Sequence, residues 1–243
     1  MPADPRVKDA TPRLRTKRRA QRRRRLLRAG VAVVVLAVIG GLVYLVGFSP
    51  VLAARATRVV GTSLLTPEQV TQAAAVPLGT PLARLDTGAV ERRVLALPEA
   101  RSVDVSRSLP GTVVLRVTER QAVYVLSSGS RFTMVDADGT GFHEVPEVTK
   151  GMLVANLAAP GDQRVRKDVA TVVTALPPSI GERAVLVSAT SPDQIVIELS
   201  GGVQLLWGSA EQSAEKARVA AALLTQPGKV YDVSSPSHPA VRR

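Results

Sequence analysis

The chain has 243 residues, 45% hydrophobic and 21% charged, a composition that builds one to three small cores. It has no cysteine, which excludes a disulfide framework, thiol catalysis and cysteine-based metal sites, and its two histidines, His143 and His238, lie far apart. The net charge of +12 is concentrated at one end: residues 1–28 hold 12 Lys/Arg against two Asp, while the rest of the chain is nearly balanced.

Residues 1–28 read as a basic tail, with Arg22, Arg23, Arg24, Arg25 and Arg28 crowded against the first apolar run. The tail has no aromatic residue to stack on bases, so the expected partner is anionic lipid beside a membrane span, not a specific nucleic acid. AGVAVVVLAVIGGLVYLVGF follows, free of charge. Twenty residues at about 1.5 Å each cover roughly 30 Å, the hydrocarbon thickness of a bilayer. A transmembrane helix is therefore predicted over 29–49, with Val33, Leu36, Ile39, Leu42, Tyr44 and Leu45 toward lipid. The arginines flank one side only, which predicts that side to be cytoplasmic and everything after Pro50 to lie outside. Ala54-Arg55-Ala56 resembles a signal-peptide cleavage site, but the uncharged run from Ala29 to Ala54 is far longer than the roughly 7–15 residues of a signal core.

Beyond the span, a short strand ends at Gly61. Thr66-Pro67-Glu68-Gln69 opens a helix with a capping box and a proline in the first turn. A second helix is expected around Gly88–Leu97, with Val90, Val94 and Leu97 on one face and Pro98 as its stop. Then Val103 and Val105, and after a turn Val113, Leu115 and Val117, alternate with polar neighbours, the period of strands with one buried face. Leu109-Pro110-Gly111-Thr112 has the residues of a type II turn. The order strand, helix, helix, strand, strand defines a unit over 55–121.

Residues 122–236 read as a mainly antiparallel β domain with two helices, followed by a tail at 237–243. The strands are expected at Ala122–Ser127, Arg131–Asp136, Gly141–Val145, Met152–Asn156, Ala184–Ala189, Gln194–Leu199, Val203–Trp207 and Lys229–Ser234. One helix carries the stripe Val165, Val169, Val172, Val173 and Leu176, and the other Ala210, Ala214, Ala217, Ala221 and Leu224 after a Ser209-x-x-Gln212 capping box. The fold class is thus α+β.

The chemistry-bearing words are few. Asp136-Ala137-Asp138-Gly139-Thr140 matches the aspartate word of haloacid-dehalogenase-type phosphatases, in which the first Asp is the nucleophile. Only 23 residues separate Asp138 from Asp162, too few for the βα crossovers such a fold needs, so a hairpin turn is expected instead. His143 lacks a second ligand at metal spacing and reads as a surface histidine. Trp207 reads as core or rim packing. No catalytic residue, cofactor, metal or small-molecule substrate is expected.

ATRVVGTSLLTPEQV and PLGTPLARLDTGAVERRVLALPEARSVDVSRSLPGTVVLRVTERQAVYVL resemble the POTRA domain of the FtsQ/DivIB family of bacterial cell-division proteins. FTMVDADGTGF and KVYDVSSPSHPAVRR resemble the opening hairpin and closing strand of that family's β domain. The Arg-, Ala- and Val-rich style resembles an actinobacterial member. The resemblance implies a non-enzymatic single-span membrane protein, type II in orientation and gathered at the division septum. It implies docking of FtsB/DivIC-type and FtsL-type coiled-coil partners, and through them support of septal peptidoglycan synthesis. The partner site it implies is the last strand, Val230, Tyr231, Asp232, Val233, Ser234 and Ser235, with Lys216 on the neighbouring helix. A last strand at a sheet edge leaves backbone groups open to strand addition, and Pro236 is a candidate block on that edge. Val113, Val114, Leu115 and Arg116 form a secondary candidate, if the hairpin is the edge of the POTRA sheet. A rival reading is a single-span secretion or transport component that uses the POTRA unit to hold a client polypeptide.

Overall fold

The computed structural model describes residues 11–129 and 131–243, and the side chains from Leu27 onward with Val46 excepted. The side chains of Arg22, Arg23, Arg24 and Arg25 therefore lie outside the described residues. By its contacts the chain divides into two compact units. One holds the span and the residues up to Arg58, with Val76–Thr87 and Ser106–Val114; the other holds Val59–Ala75, Gly88–Val105 and Leu115–Arg243.

Helix α1 runs from Thr11 to Phe48, starting well before the apolar run. The reason is compositional: between Pro12 and Gly30 the chain is almost entirely Arg, Lys, Ala, Leu and Gln, all good helix formers. Within it, Leu27–Leu45 is long and apolar enough to cross a membrane, with a mean hydropathy of 2.2 and none of it buried. Val33, Leu36, Ile39, Leu42, Tyr44 and Leu45 are all exposed there, as is Arg28. A 3₁₀ turn, Pro50–Leu52, follows, with Ser49 capping it.

The POTRA-like unit has the expected order. Strand β1 (Ala56–Val60) leads to helix α2 (Pro67–Ala74), a 3₁₀ turn at Leu82–Arg84, helix α3 (Thr87–Val94), and strands β2 (Ala100–Ser108) and β3 (Thr112–Glu119). The capping box of α2 forms: Thr66 Oγ1 accepts from Gln69 N at 3.2 Å, and Gln69 Oε1 accepts from Thr66 N at 2.8 Å. Helix α3 stops three residues short of Leu97, keeping Val90 and Val94 as its buried face. The sheet order is β1-β3-β2. Strand β3 is therefore central, not an edge, which corrects the expectation for Val113, Val114, Leu115 and Arg116. Its backbone is flanked on both sides, and Val113 and Leu115 are buried. The turn before β3 also differs: Gly111 does not take the positive φ of a type II turn, and the Leu109–Pro110 bond is cis. Glycine is needed at 111 for space, because a Cβ there would sit 2.6 Å from the Ala53 carbonyl oxygen.

The second sheet has nine strands. They are β4 (Tyr124–Ser128), β5 (Arg131–Val135), β6 (Gly141–Val145), β7 (Val154–Leu157), β8 (Ala184–Ala189), β9 (Ile195–Leu199), β10 (Val203–Gly208), β11 (Val230–Asp232) and β12 (Ala240–Arg242). Their order is β12-β11-β10-β9-β8-β7-β4-β5-β6. Five of the eight pairings are antiparallel, and β4–β7, β7–β8 and β10–β11 are parallel. Helix α4 (Gln163–Ala175), a single turn α5 (Pro178–Gly181) and helix α6 (Ser213–Leu223) complete the domain. The core gathers Val165, Val169 and Val172 of α4, Ala217 and Ala220 of α6, and Ile195, Ile197, Leu205, Trp207 and Tyr231 of the strands. Trp207 is fully buried there.

Helix α6 starts at Ser213, not at Ala210, and Gln212 sits at its N-terminus in the left-handed region with φ 54° and no side-chain cap. The expected capping box does not form: the Ser209 hydroxyl faces Lys216 Nζ at 3.4 Å, and the Ser209 carbonyl accepts from the same ammonium at 2.9 Å. Ser213 Oγ accepts from Trp207 Nε1 at 3.1 Å and donates to the Ala210 carbonyl at 2.7 Å.

Candidate functional site

The expected docking strand is where the structure departs most from the sequence reading. Strand β11 is not the edge. It pairs parallel with β10 on one side (Leu205 opposite Tyr231) and antiparallel with β12 on the other (Tyr231 opposite Val241). The chain turns back after Asp232, whose Oδ1 accepts from Ser234 N at 3.0 Å and from the Ser234 hydroxyl at 2.6 Å. Gly208 admits this turn, since a Cβ there would lie 2.9 Å from Ser234 Cβ. Pro236 and Pro239 bracket the return, and Ala240–Arg242 then lies along β11. Gly228 leaves room for Val241, whose Cγ1 would be 2.5 Å from a Cβ at that position. So β11 is covered by a strand of this chain and not merely blocked by Pro236. Among the described residues the sheet has two outer strands, β6 and β12, and β12 is the one that lies against β11.

The side chains sort by the two faces of the sheet. Tyr231 and Val233 point into the core, and the Tyr231 hydroxyl donates to the Gln226 carbonyl at 2.6 Å. Val230 and Asp232 are half-buried; Ser234, Ser235, Ala240 and Arg242 are exposed. Lys216 is only 1% exposed, with its ammonium turned inward to Ser209, so it offers no direct contact to a partner. Burial pulls its pKa below the ordinary lysine value, against the opposing pull of Glu211 and Asp193.

The phosphatase-like word is a structural knot. Asp136 is 1% exposed. Its Oδ1 accepts from the amides of Asp138 and Thr140, each at 2.9 Å, and its Oδ2 pairs with the Arg120 guanidinium. Arg120 also donates to the Pro98 carbonyl at 3.0 Å. The carboxylate that would be a nucleophile is thus engaged on both oxygens. Gly139 is required here, at φ 75° and with a Cβ position 2.6 Å from Lys167 N. His143 is half-buried rather than a surface residue, its Nδ1 3.0 Å from Glu99 Oε1. Among the described residues no cluster of His, Asp and Glu is arranged to hold a metal.

Sequence reasoning missed Glu119. Its carboxylate accepts from the amides of Ser63 (2.9 Å), Leu64 (3.0 Å) and Leu65 (2.8 Å) and from the Ser63 hydroxyl (2.7 Å). Burial pushes its pKa up, but the hydrogen bonds from Leu64, Leu65 and Ser63 outweigh it, and the pKa lies below the ordinary glutamate value. The partners are 54 to 56 residues away in sequence, so no local pattern announces them.

Comparison with known proteins gives a consistent result. The model of the FtsQ-type POTRA domain matches residues 52–120, and that of the FtsQ/DivIB C-terminal domain matches 123–235. The chain is similar to the cell division protein FtsQ of Streptomyces bingchenggensis, with 38% identity over 93% of this chain and 89% of that one. It is 39% identical to FtsQ of Streptomyces venezuelae over 85% of this chain and 80% of that one. FtsQ of Mycobacteroides abscessus is 35% identical, over 86% and 68%. A solved extracytoplasmic domain of DivIB from Geobacillus stearothermophilus aligns with 45% of this chain and 98% of its own, at 13% identity and a TM-score of 0.35.

Proposed function

This chain belongs to the FtsQ/DivIB family of cell-division proteins, and from that premise we propose that it is a non-catalytic, single-span scaffold of the division machinery. It is anchored by Leu27–Leu45 with its N-terminus in the cytoplasm and its folded domains, 55–121 and 122–236, outside. There it docks the FtsB/DivIC-type and FtsL-type partners at the septum and supports septal peptidoglycan synthesis, while the basic tail rests on anionic lipid.

The observation that carries the docking assignment is the C-terminal edge of the nine-stranded sheet. Strand β12 is one of the two outer strands of the sheet, β6 being the other; its Ala240 and Arg242 are exposed, as are Ser234 and Ser235 on the turn that leads to it. An open edge strand presents unpaired N–H and C=O groups, the template for strand addition by a partner. The partner strand pairs along β12, with Val230–Ser235 as the second layer that holds β12 in place. The buried Tyr231 and Val233 hold the edge from below and Lys216 fixes the turn into α6; none of the three touches the partner.

The test is in-cell crosslinking from photoreactive residues at Ala240 and Arg242, with exposed Val185 as the control. Capture of a coiled-coil division protein from the two edge positions and not from Val185 is expected. Capture from Val185 alone would remove the edge assignment. Septal fluorescence of a fusion to the full chain tests the wider assignment separately.

A further inference from the structure

The segment that leaves the span does not run free into the outer domain. Ala54 N donates to the Thr80 carbonyl at 2.8 Å, and Gly79 N returns to the Ala54 carbonyl at 2.8 Å. Arg55 N donates to the Gly111 carbonyl at 2.7 Å. The connection between α2 and α3, residues 75–86, and the β2–β3 turn, residues 109–111, are therefore loops pinned to residues a few positions beyond the helix end at Phe48. The end of the span is itself fastened to one of them: Arg84 Cζ stands 4.7 Å from the centre of the Phe48 ring, which stacks on Tyr44.

Among the described residues after Phe48, six large apolar side chains are exposed: Val51, Leu64, Leu78, Leu95, Leu109 and Val185. Three of them, Val51 (58%), Leu78 (63%) and Leu109 (72%), lie on this short exit segment and its two pinned loops. The same three stretches, 49–58, 76–87 and 106–114, carry Arg55, Arg58, Arg84 and Arg107 against a single acid, Asp86. Exposed aliphatic side chains among arginines at the end of a membrane-length helix have the composition of a surface seated in the head-group layer. A single exposed apolar residue needs no explanation; what distinguishes these three is that they sit on segments bonded to one another at the end of a membrane-length helix.

We propose that these loops form a lipid-contacting foot. Val51, Leu78 and Leu109 enter the interfacial layer of the leaflet where α1 ends, and Arg55, Arg84 and Arg107 meet its anionic head groups. This inference rests on the reading of α1 as a span. The foot gives the POTRA-like unit a second attachment to the bilayer besides the helix, so its loop end stands against the membrane.

The absence of native cysteine makes the test direct. Full-length protein carrying a single Leu78→Cys, Leu109→Cys, Val185→Cys or Leu36→Cys change is labelled with an environment-sensitive fluorophore. Each is reconstituted into vesicles of phosphatidylcholine alone or with phosphatidylglycerol, with or without spin-labelled lipid quenchers. Labels at 78 and 109 are expected to be quenched at least twofold more than the label at 185, by quenchers near the head group more than by those deep in the chains. The excess should grow with phosphatidylglycerol and fall when Arg55, Arg84 and Arg107 are all replaced by Gln. If the label at 36 is quenched while those at 78 and 109 match the one at 185, the foot is wrong and the span stands. If the label at 36 also escapes quenching, the span reading fails and takes the foot with it. Strong quenching at 78 and 109 that ignores both phosphatidylglycerol and the arginine replacements overturns the head-group contacts.

Discussion

The Asp136 turn and the C-terminal edge are opposites within one domain. At the turn every polar group of a buried carboxylate has a partner: two backbone amides and one guanidinium. At the edge, β12 is three residues long, exposed at Ala240 and Arg242, and last in its sheet. The word that reads as chemistry serves structure, and the stretch that reads as a plain tail forms one of the two outer strands of the sheet. Satisfied groups lock a fold, and unsatisfied backbone is what a partner can use.

That contrast breaks most sharply at the turn. Asp136→Ala leaves the partly buried Arg120 guanidinium unpaired and strips the acceptor from the Asp138 and Thr140 amides. A loss of about 3–4 kcal/mol in chemical denaturation is expected. Asp136→Asn, which keeps an acceptor for the amides but not the charge, should lose less. A variant as stable as the parent would show that the knot is not structural.

Glu119→Gln comes next, with an expected loss of about 1–2 kcal/mol at neutral pH, because amides and a hydroxyl lose a charged acceptor. The sign of the pH effect follows from its lowered pKa. A carboxylate with a depressed folded pKa contributes stability that is present above its unfolded pKa, near 4.3, and lost as pH falls through the folded value. The parent should lose stability over that acid range, and the Gln variant should lose less. Parallel pH profiles would remove Glu119 as the source.

At the edge, deletion of residues 237–243 is expected to cost little stability but to weaken partner docking at least tenfold, about 1.4 kcal/mol, in a direct binding measurement. Tighter docking after the deletion would mean that β12 is a cover over β11 and that β11 is the template. The smallest effect is expected from Arg116→Ala, on the central strand of the smaller sheet. Its exposed pair with Asp104 at 3.4 Å should contribute less than about 0.5 kcal/mol, and docking should not change.

Much of this architecture is written locally. The alternation in Val113, Leu115 and Val117, the capping box at Thr66 and the apolar stripe of α4 each announce their element, because the signal lies within one or two turns of chain. The features that decide the candidate site are long-range. Arg120 meets Asp136 across 16 residues, and Glu119 meets the 63–65 loop across more than 50. Neither ion has a neighbour in sequence that marks its role. Strand β12 is invisible for another reason: three residues behind two prolines show no period, and it exists only because β11 offers an edge and Gly228 offers space. The misplaced start of α6 follows the same logic, since the Ser209 hydroxyl and carbonyl both face a lysine seven residues on.

One feature of the junction bears on mechanics. Only four residues separate β3 from β4, and the side chains of Glu119 and Arg120 grip distant parts of the fold on either flank of a single peptide. Backbone bonds from Arg120 N to the Glu99 carbonyl and from Val123 N to the Val135 carbonyl, both 2.8 Å, fix the rest. Such a joint has no slack to pay out. Pulling on the larger sheet therefore meets hydrogen bonds that must break before the four residues between β3 and β4 can extend.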